Sequence, residues 1–155
     1  STSIIVIKKN KLYDDSTNCT VKTCFVRASA FDKDGKLLQD SHSWPVYFKD
    51  SNITKDMQPK LKVTFMDQPS ENQVHVNLTN HLSSDADGPS YPSLYTSLES
   101  NTLTGHFCSN VFFLLPGESK KLMFTSKDIV IDLETALMDS LIVRSYNDML
   151  KYTSV

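Results

Sequence analysis

Residues Gly105–Phe124 read G-H-F-C-S-N-V-F-F-L-L-P-G-E-S-K-K-L-M-F. The first half is dense in Phe107, Val111, Phe112, Phe113, Leu114 and Leu115, side chains that suit a pleated, half-buried surface. Pro116-Gly117 then interrupts the pattern, since proline presets φ for a turn and glycine accepts positive φ. Beyond it Leu122 and Phe124 face one way, and Lys121, Met123 and Thr125 the other. The stretch therefore reads as two β-strands joined by a tight turn, an ordinary core hairpin of a β-sandwich.

The same alternation recurs on either side. Leu61, Val63 and Phe65 face inward between lysines, and Gln68–Asn72 turns the chain. Val74, Val76 and Leu78 then resume the inward set, with His75 and Asn77 outward. Ser83–Ser93 is a polar loop, and Tyr91–Leu98 a serine-interrupted strand. Ile129-Val130-Ile131 looks like strand, but Leu133, Ala136 and Leu137 have helical spacing behind Asp132 as a cap. A short helix crossing between strands is expected there, followed by a closing strand over Leu141–Tyr146.

Toward the start, Ser3–Lys8 and Val21–Asp32 read as strands, with Cys24, Val26, Ala28 and Ala30 on the inward face. Asp34-Gly35 supplies the positive-φ residues of a hairpin turn, and Leu37–Trp44 returns as the partner strand. These strands are fewer than a closed sandwich requires. They look like the end of a domain whose beginning lies elsewhere. A chain that starts at Ser1, with no initiator Met and no signal-peptide pattern, reads as a fragment or a processed product. The polar connector Asp50–Gln58 is the expected domain boundary.

At 155 residues and 39% hydrophobic, the chain is long and apolar enough to fold around a core. A net charge of −2 gives no electrostatic case for nucleic acid or an anionic membrane surface. No apolar run approaches the length of a membrane-spanning helix. The four histidines are scattered and no cysteine pair has finger spacing, so neither a metal nor another cofactor is expected. Cys19, Cys24 and Cys108 make an odd count, and Cys24, on a strand face, reads as a buried thiol. Placement in different halves argues against a bridge from Cys24 to Cys108. Asn18-Cys19-Thr20, Asn52-Ile53-Thr54 and Asn77-Leu78-Thr79 fit the N-glycosylation pattern, which tilts the reading toward a secreted or lysosomal protein. Asn77, outward on its strand, is expected to be exposed.

Glycoside hydrolysis needs two carboxyls roughly 5 Å apart in its retaining form. Glu71 and Glu118 fall in turns, Glu99 in a loop and Glu134 in the crossover, and each reads as a solvated surface carboxylate. No G-x-S-x-G elbow and no Gly-rich phosphate loop is present. Trp44, Tyr47 and Phe48, or Tyr91 and Tyr95, offer aromatic faces for a sugar or a peptide. At a strand end entering a linker, Trp44, Tyr47 and Phe48 more often pack domains together.

Three motifs carry a resemblance to a known family. They are F-x-S-N-x-F-F-L-L-P-G-E at Phe107–Glu118; the strand, D-x-D-G-K turn, strand and W-P-x-x-F-K series over Ala28–Lys49, continuing to P-K-L-K-V at Pro59–Val63; and R-S-Y-N-D at Arg144–Asp148. With these the chain resembles the C-terminal end of β-mannosidase-type enzymes of glycoside hydrolase family 2. The family commonly has Ser-Asp before the asparagine, where this chain has Cys108-Ser109. The resemblance implies an all-β, immunoglobulin-like β-sandwich, preceded by the last strands of another β-sandwich. Residues 1–48 would be those last strands, 49–58 a linker, 59–148 the terminal sandwich and 149–155 a tail. It implies partners in an upstream catalytic barrel and sandwich domains of the same protein, and glycans as substrates. The catalytic glutamates lie upstream, and no residue of this chain matches either. The implied parent activity is retaining hydrolysis of terminal, non-reducing β-D-mannose. The competing expectation is a stand-alone secreted module that binds carbohydrate or protein through its surface aromatics. An unpaired strand edge and an open apolar face in the first 48 residues would favour the first.

Overall fold

The structure, a computed structural model, describes residues 4–11, 24–44, 53–82 and 88–150. The chain divides into two compact units, Ser1–Ile53 and Thr54–Val155.

The first unit holds an antiparallel sheet of β1 (Ile4–Lys11), β2 (Cys24–Phe31) and β3 (Leu37–Ser43), in that spatial order. The β2–β3 turn falls where the Asp32–Lys36 stretch predicts it. It spans 32–36, closed by Asp32 N to Lys36 O at 2.9 Å, and only Gly35 has positive φ, at 79°. Asp32 Oδ1 accepts from the amides of Asp34 and Lys36, so the aspartate side chain shapes the loop instead of a second left-handed residue. Asp40 of β3 is clamped by Arg27 of β2, with Nη2 to Oδ2 at 2.6 Å and Nε to Oδ1 at 3.1 Å. Burial alone would raise the Asp40 pKa. Hydrogen bonds from Arg27 and Ser29, with the charges of Arg27 and His42, outweigh it and hold the carboxyl below its ordinary value.

Burial on β2 is split between its faces: Cys24 is buried on the expected inward face. Val26, Ala28 and Ala30 are half-buried, while Phe25 and Ser29 on the opposite face are buried. Phe25 stacks on Trp44 with centroids 5.0 Å apart and packs against His42 at 5.8 Å. One large ring buries more area than several small side chains. Ile5 and Ile7 pair with Ala30 and Ala28 and stand 70% and 68% exposed, an open apolar face. Cys24 is disulfide-bonded, which corrects the expectation of a thiol, while Cys108 is free and exposed. Cys19 lies outside the described residues.

The second unit is a sandwich. Its larger sheet has the order β4 (Leu61–Ser70), β5 (Gln73–Asn80), β9 (Ser119–Ser126), β7 (Gly105–Phe107). The smaller has β10 (Leu141–Arg144), β6 (Ser93–Ser100), β8 (Phe112–Leu114). Between them lie Val74, Val76, Leu78, Leu98, Phe107, Leu114, Leu122 and Phe124, joined by Leu133 and Leu137 of α1 (Leu133–Ser140). Each such side chain withdrawn from water contributes about 1.5–3 kcal/mol. The helix starts where the cap was expected: Asp132 Oδ1 accepts from Thr135 N at 3.3 Å. Ile129-Val130-Ile131 forms no strand. A second, four-residue helix, α2 (Tyr146–Met149), follows β10 where strand was expected at Tyr146.

Gly105–Phe124 is not a hairpin. β8 pairs with β6 in the smaller sheet, whereas β7 and β9 pair with each other in the larger one. The chain leaves the larger sheet after Phe107, turns at Val111 with φ 60°, and returns over Pro116-Gly117 with Gly117 φ 83°. Phe107 lies opposite Phe124, ring centroids 5.1 Å apart, and a Cβ at Gly105 would collide with the Phe124 ring and Thr125 O. Apolar residues here serve both sheets, and a single hairpin would have left one sheet short of a strand.

Candidate functional site

A densely connected polar group of the second unit is Asn80, the last residue of β5 and fully buried. It continues the inward series Val74, Val76, Leu78 by strand alternation. Its Oδ1 accepts from Lys60 N and Ser90 Oγ, both at 3.0 Å. Its Nδ2 donates to Tyr91 O at 2.8 Å and Leu114 O at 3.0 Å. Its backbone joins the Pro116-Gly117 turn, with Gly117 N to Asn80 O at 2.7 Å and Asn80 N to Glu118 O at 3.0 Å. Both amide protons and both acceptor sites are used, so the group pays no penalty for burial. The arrangement ties the start of β4, the strand-free segment at 90–91 and the end of β8 to one point. It holds loops in place and offers no reactive atom to a substrate. The sequence reading missed Asn80. The available signal was its parity, a polar residue where alternation demands an apolar one.

The motif residues behind the family resemblance act in the same way. Asn110 Oδ1 accepts from Leu98 N at 2.8 Å, joining the corner after β7 to the middle of β6. Glu118 is half-buried and accepts from Leu115 N at 2.9 Å, so it closes the turn and is not a freely solvated carboxylate. Asn147 is buried; its Oδ1 accepts from Leu94 N at 3.1 Å and its Nδ2 donates to Met57 O at 2.7 Å. Asp148 Oδ2 accepts from Ser145 N and Oγ, both at 3.0 Å, and caps α2. Glu99 lies within β6, not in a loop, and pairs with Arg144 Nε at 2.7 Å.

The outer face of the larger sheet carries His75 on β5, bonded through Nδ1 to Asp67 of β4, with Lys121 Nζ of β9 3.5 Å from the same carboxylate. The His75 hydrogen bond holds the Asp67 pKa below its ordinary value, against desolvation and with help from the His75 and Lys121 charges. Asn77 sits on this face between Thr64 and Lys121. It is half-buried, less open than expected, and its Nδ2 donates to Thr79 Oγ1 at 3.2 Å. Trp44 is half-buried and stacks on Phe25, Tyr91 is half-buried, and Tyr95 is 44% exposed with its ring edge-on to Phe113 at 4.8 Å. Asn18, Tyr47, Phe48 and Asn52 lie outside the described residues. Among the described residues, no group of His, Cys, Asp and Glu is placed to hold a metal ion, and no helix is long and apolar enough to cross a membrane.

The Ig-fold domain model named Ig_mannosidase matches residues 57–149, more than half of the chain and most of the sandwich described above. The chain belongs to this family. The Ig_mannosidase match covers every hydrogen-bonding hub just described, from Lys60 and Asn80 to Asn147. No match was found among curated proteins. Among solved structures, the β-D-mannosidase from Dictyoglomus thermophilum is similar, with TM-score 0.65 and 11% identity. That match covers 92% of this chain but 18% of the other, so this chain spans under a fifth of that protein. At this identity the likeness concerns the fold. The resemblance to the C-terminal Ig-like region of a β-mannosidase-type protein, first carried by the Phe107–Glu118 motif, thus agrees with both findings.

Proposed function

We propose that this chain is the non-catalytic, C-terminal Ig-like region of a β-mannosidase-like exo-glycosidase of the secretory or lysosomal system. Its role is to pack against and stabilise a catalytic barrel elsewhere in the same polypeptide. The parent activity is hydrolysis of terminal, non-reducing β-D-mannose residues. The observation that carries this reading is the Ig_mannosidase match over 57–149. Two features of the surface support it. Ile129 and Ile131 are 80% and 97% exposed on a loop tied down by Lys127 N to Thr104 O at 2.8 Å, Ser126 Oγ to Asp128 O at 2.7 Å and the Asp132 cap. A pair of exposed isoleucines on a loop hydrogen-bonded at both ends is suited to contact another domain of the parent. The open apolar face around Ile5 and Ile7 offers a second contact. The Cys24 disulfide supports an oxidising compartment.

The test is the mass of the native protein from its source, denatured, reduced and deglycosylated, with its activity toward an aryl β-D-mannoside. The expected result is a mass several times 17.5 kDa and release of mannose. A mass near 17.5 kDa with no catalytic partner chain would overturn the proposal.

A further inference from the structure

The sequon at Asn77 is a motif that the stabilising role leaves unused, and the fold places it for a purpose of its own. Asn77 and Thr79 are two residues apart on β5, so both side chains emerge on the outer face of the larger sheet, while Leu78 between them is buried in the core. They are neighbours there, with Nδ2 to Oγ1 at 3.2 Å. Their cross-strand partners are short or mobile polar groups: Thr64 and Lys121 beside Asn77, Lys62 and Ser119 beside Thr79. Thr64, Lys62, Lys121 and Ser119 are all exposed. A substituent on Asn77 Nδ2 would leave along the normal to the sheet without displacing any core side chain. The cost is one half-buried amide–hydroxyl hydrogen bond. An independent observation points to the compartment in which such a substituent is added, for Cys24 is disulfide-bonded.

We infer that Asn77 carries an N-linked oligosaccharide and that the outer face of the β4–β5–β9 sheet faces solvent in the assembled parent protein. The inference rests on the secretory reading proposed above. The donor is an oligosaccharide joined to a lipid diphosphate, and the transfer is made by the cell before β5 is buried in the sheet. The bond between the sugar C1 and the diphosphate oxygen breaks, and its electron pair leaves with the lipid diphosphate. Asn77 Nδ2 forms the new bond to C1 and gives up one proton. Thr79 supplies the hydroxyl that the acceptor pattern requires. Contacts with other domains are thereby left to other surfaces, such as the Ile129–Ile131 loop.

The test is peptide mapping of the native protein. One portion is alkylated before reduction to read the state of Cys24. Another is deglycosylated enzymatically, which leaves aspartate where a glycan stood. The expected result is Cys24 protected from alkylation and the Asn77 peptide read as aspartate. Secreted recombinant chains add a second reading, since Thr79→Ala should abolish the modification and Thr79→Ser should retain it. A disulfide-bonded Cys24 with unmodified Asn77 would overturn the glycan site and leave the secretory reading standing. A reduced Cys24 with unmodified Asn77 would overturn both.

Discussion

Strand β5 carries two polar groupings on opposite faces, a neutral one inside and a charged one outside. Asn80 points into the sandwich and is fully buried with four side-chain hydrogen bonds. His75 points outward to Asp67, which Lys121 also approaches, and the Asp67 and Lys121 side chains are 54% and 48% exposed. Formal charge would rank the outer cluster first. Burial reverses the order. Inside, a lost partner strands donors and acceptors that water cannot reach, while outside water replaces whatever is removed. The same contrast applies to the buried motif residue Asn147, whose side chain is satisfied by the backbone of Leu94 and Met57.

The sharpest way to break this comparison is Asn80→Ala. It leaves Lys60 N, Ser90 Oγ, Tyr91 O and Leu114 O without their common partner. At about 1–3 kcal/mol for each stranded group that water does not reach, the loss is about 3 kcal/mol or more. For a domain of this size the Tm of the second unit should fall by more than about 10 °C. Calorimetry on wild type and variant measures it, and a drop as small as that of an outer-face substitution would remove the distinction between the two faces. Gly105→Ala probes packing at the other end of the sandwich. The added methyl meets the Phe124 ring and the Thr125 carbonyl, and backbone cannot step aside as a side-chain tip can. A cost of about 2 kcal/mol is expected from overpacking of this kind, read from urea midpoints.

How much of this was legible in the sequence depends on which kind of information each residue carries. Alternation reported faces correctly along Val74, Val76 and Leu78, and the Asp132 cap with Leu133 and Leu137 marked α1. Both are local signals. Pairing partners are not local. Phe112–Leu114 and Ser119–Phe124 have the composition of a hairpin, yet the choice between partners was settled by β6 and β7, tens of residues away in the case of Ser93 and Leu114. Period-2 alternation says which face a residue takes and is silent about which strand lies beside it. In the first unit alternation was weighed without area: Cys24 is buried on the small-residue face of β2, but Phe25, stacked on Trp44, is buried on the other. The site was legible as motif and not as mechanism: F-x-S-N-x-F-F-L-L-P-G-E and R-S-Y-N-D marked the family, but the bonds made by Asn110, Glu118 and Asn147 appear only once the strands are placed.

The smallest effect belongs to the outer cluster, and its pH dependence sharpens the comparison. The folded-state pKa of Asp67 lies below the ordinary 3.8 because the His75 hydrogen bond favours the carboxylate. A carboxyl depressed on folding stabilises the protein above its unfolded-state pKa, and that contribution is lost as pH falls through the folded value. Any advantage of wild type over Asp67→Asn should therefore be present above pH 3.8 and fade in more acidic solution. Solvent around the half-open Asp67 side chain keeps it slight even at its maximum, and added salt should shrink it further. Asn80 does not titrate, so the deficit of Asn80→Ala should persist on both sides of that pH. Urea midpoints for both variants across the acid range separate the two behaviours. An Asn80→Ala deficit that vanished in acid along with that of Asp67→Asn would mean that ionisation, not burial, governs the worth of polar groups on β5.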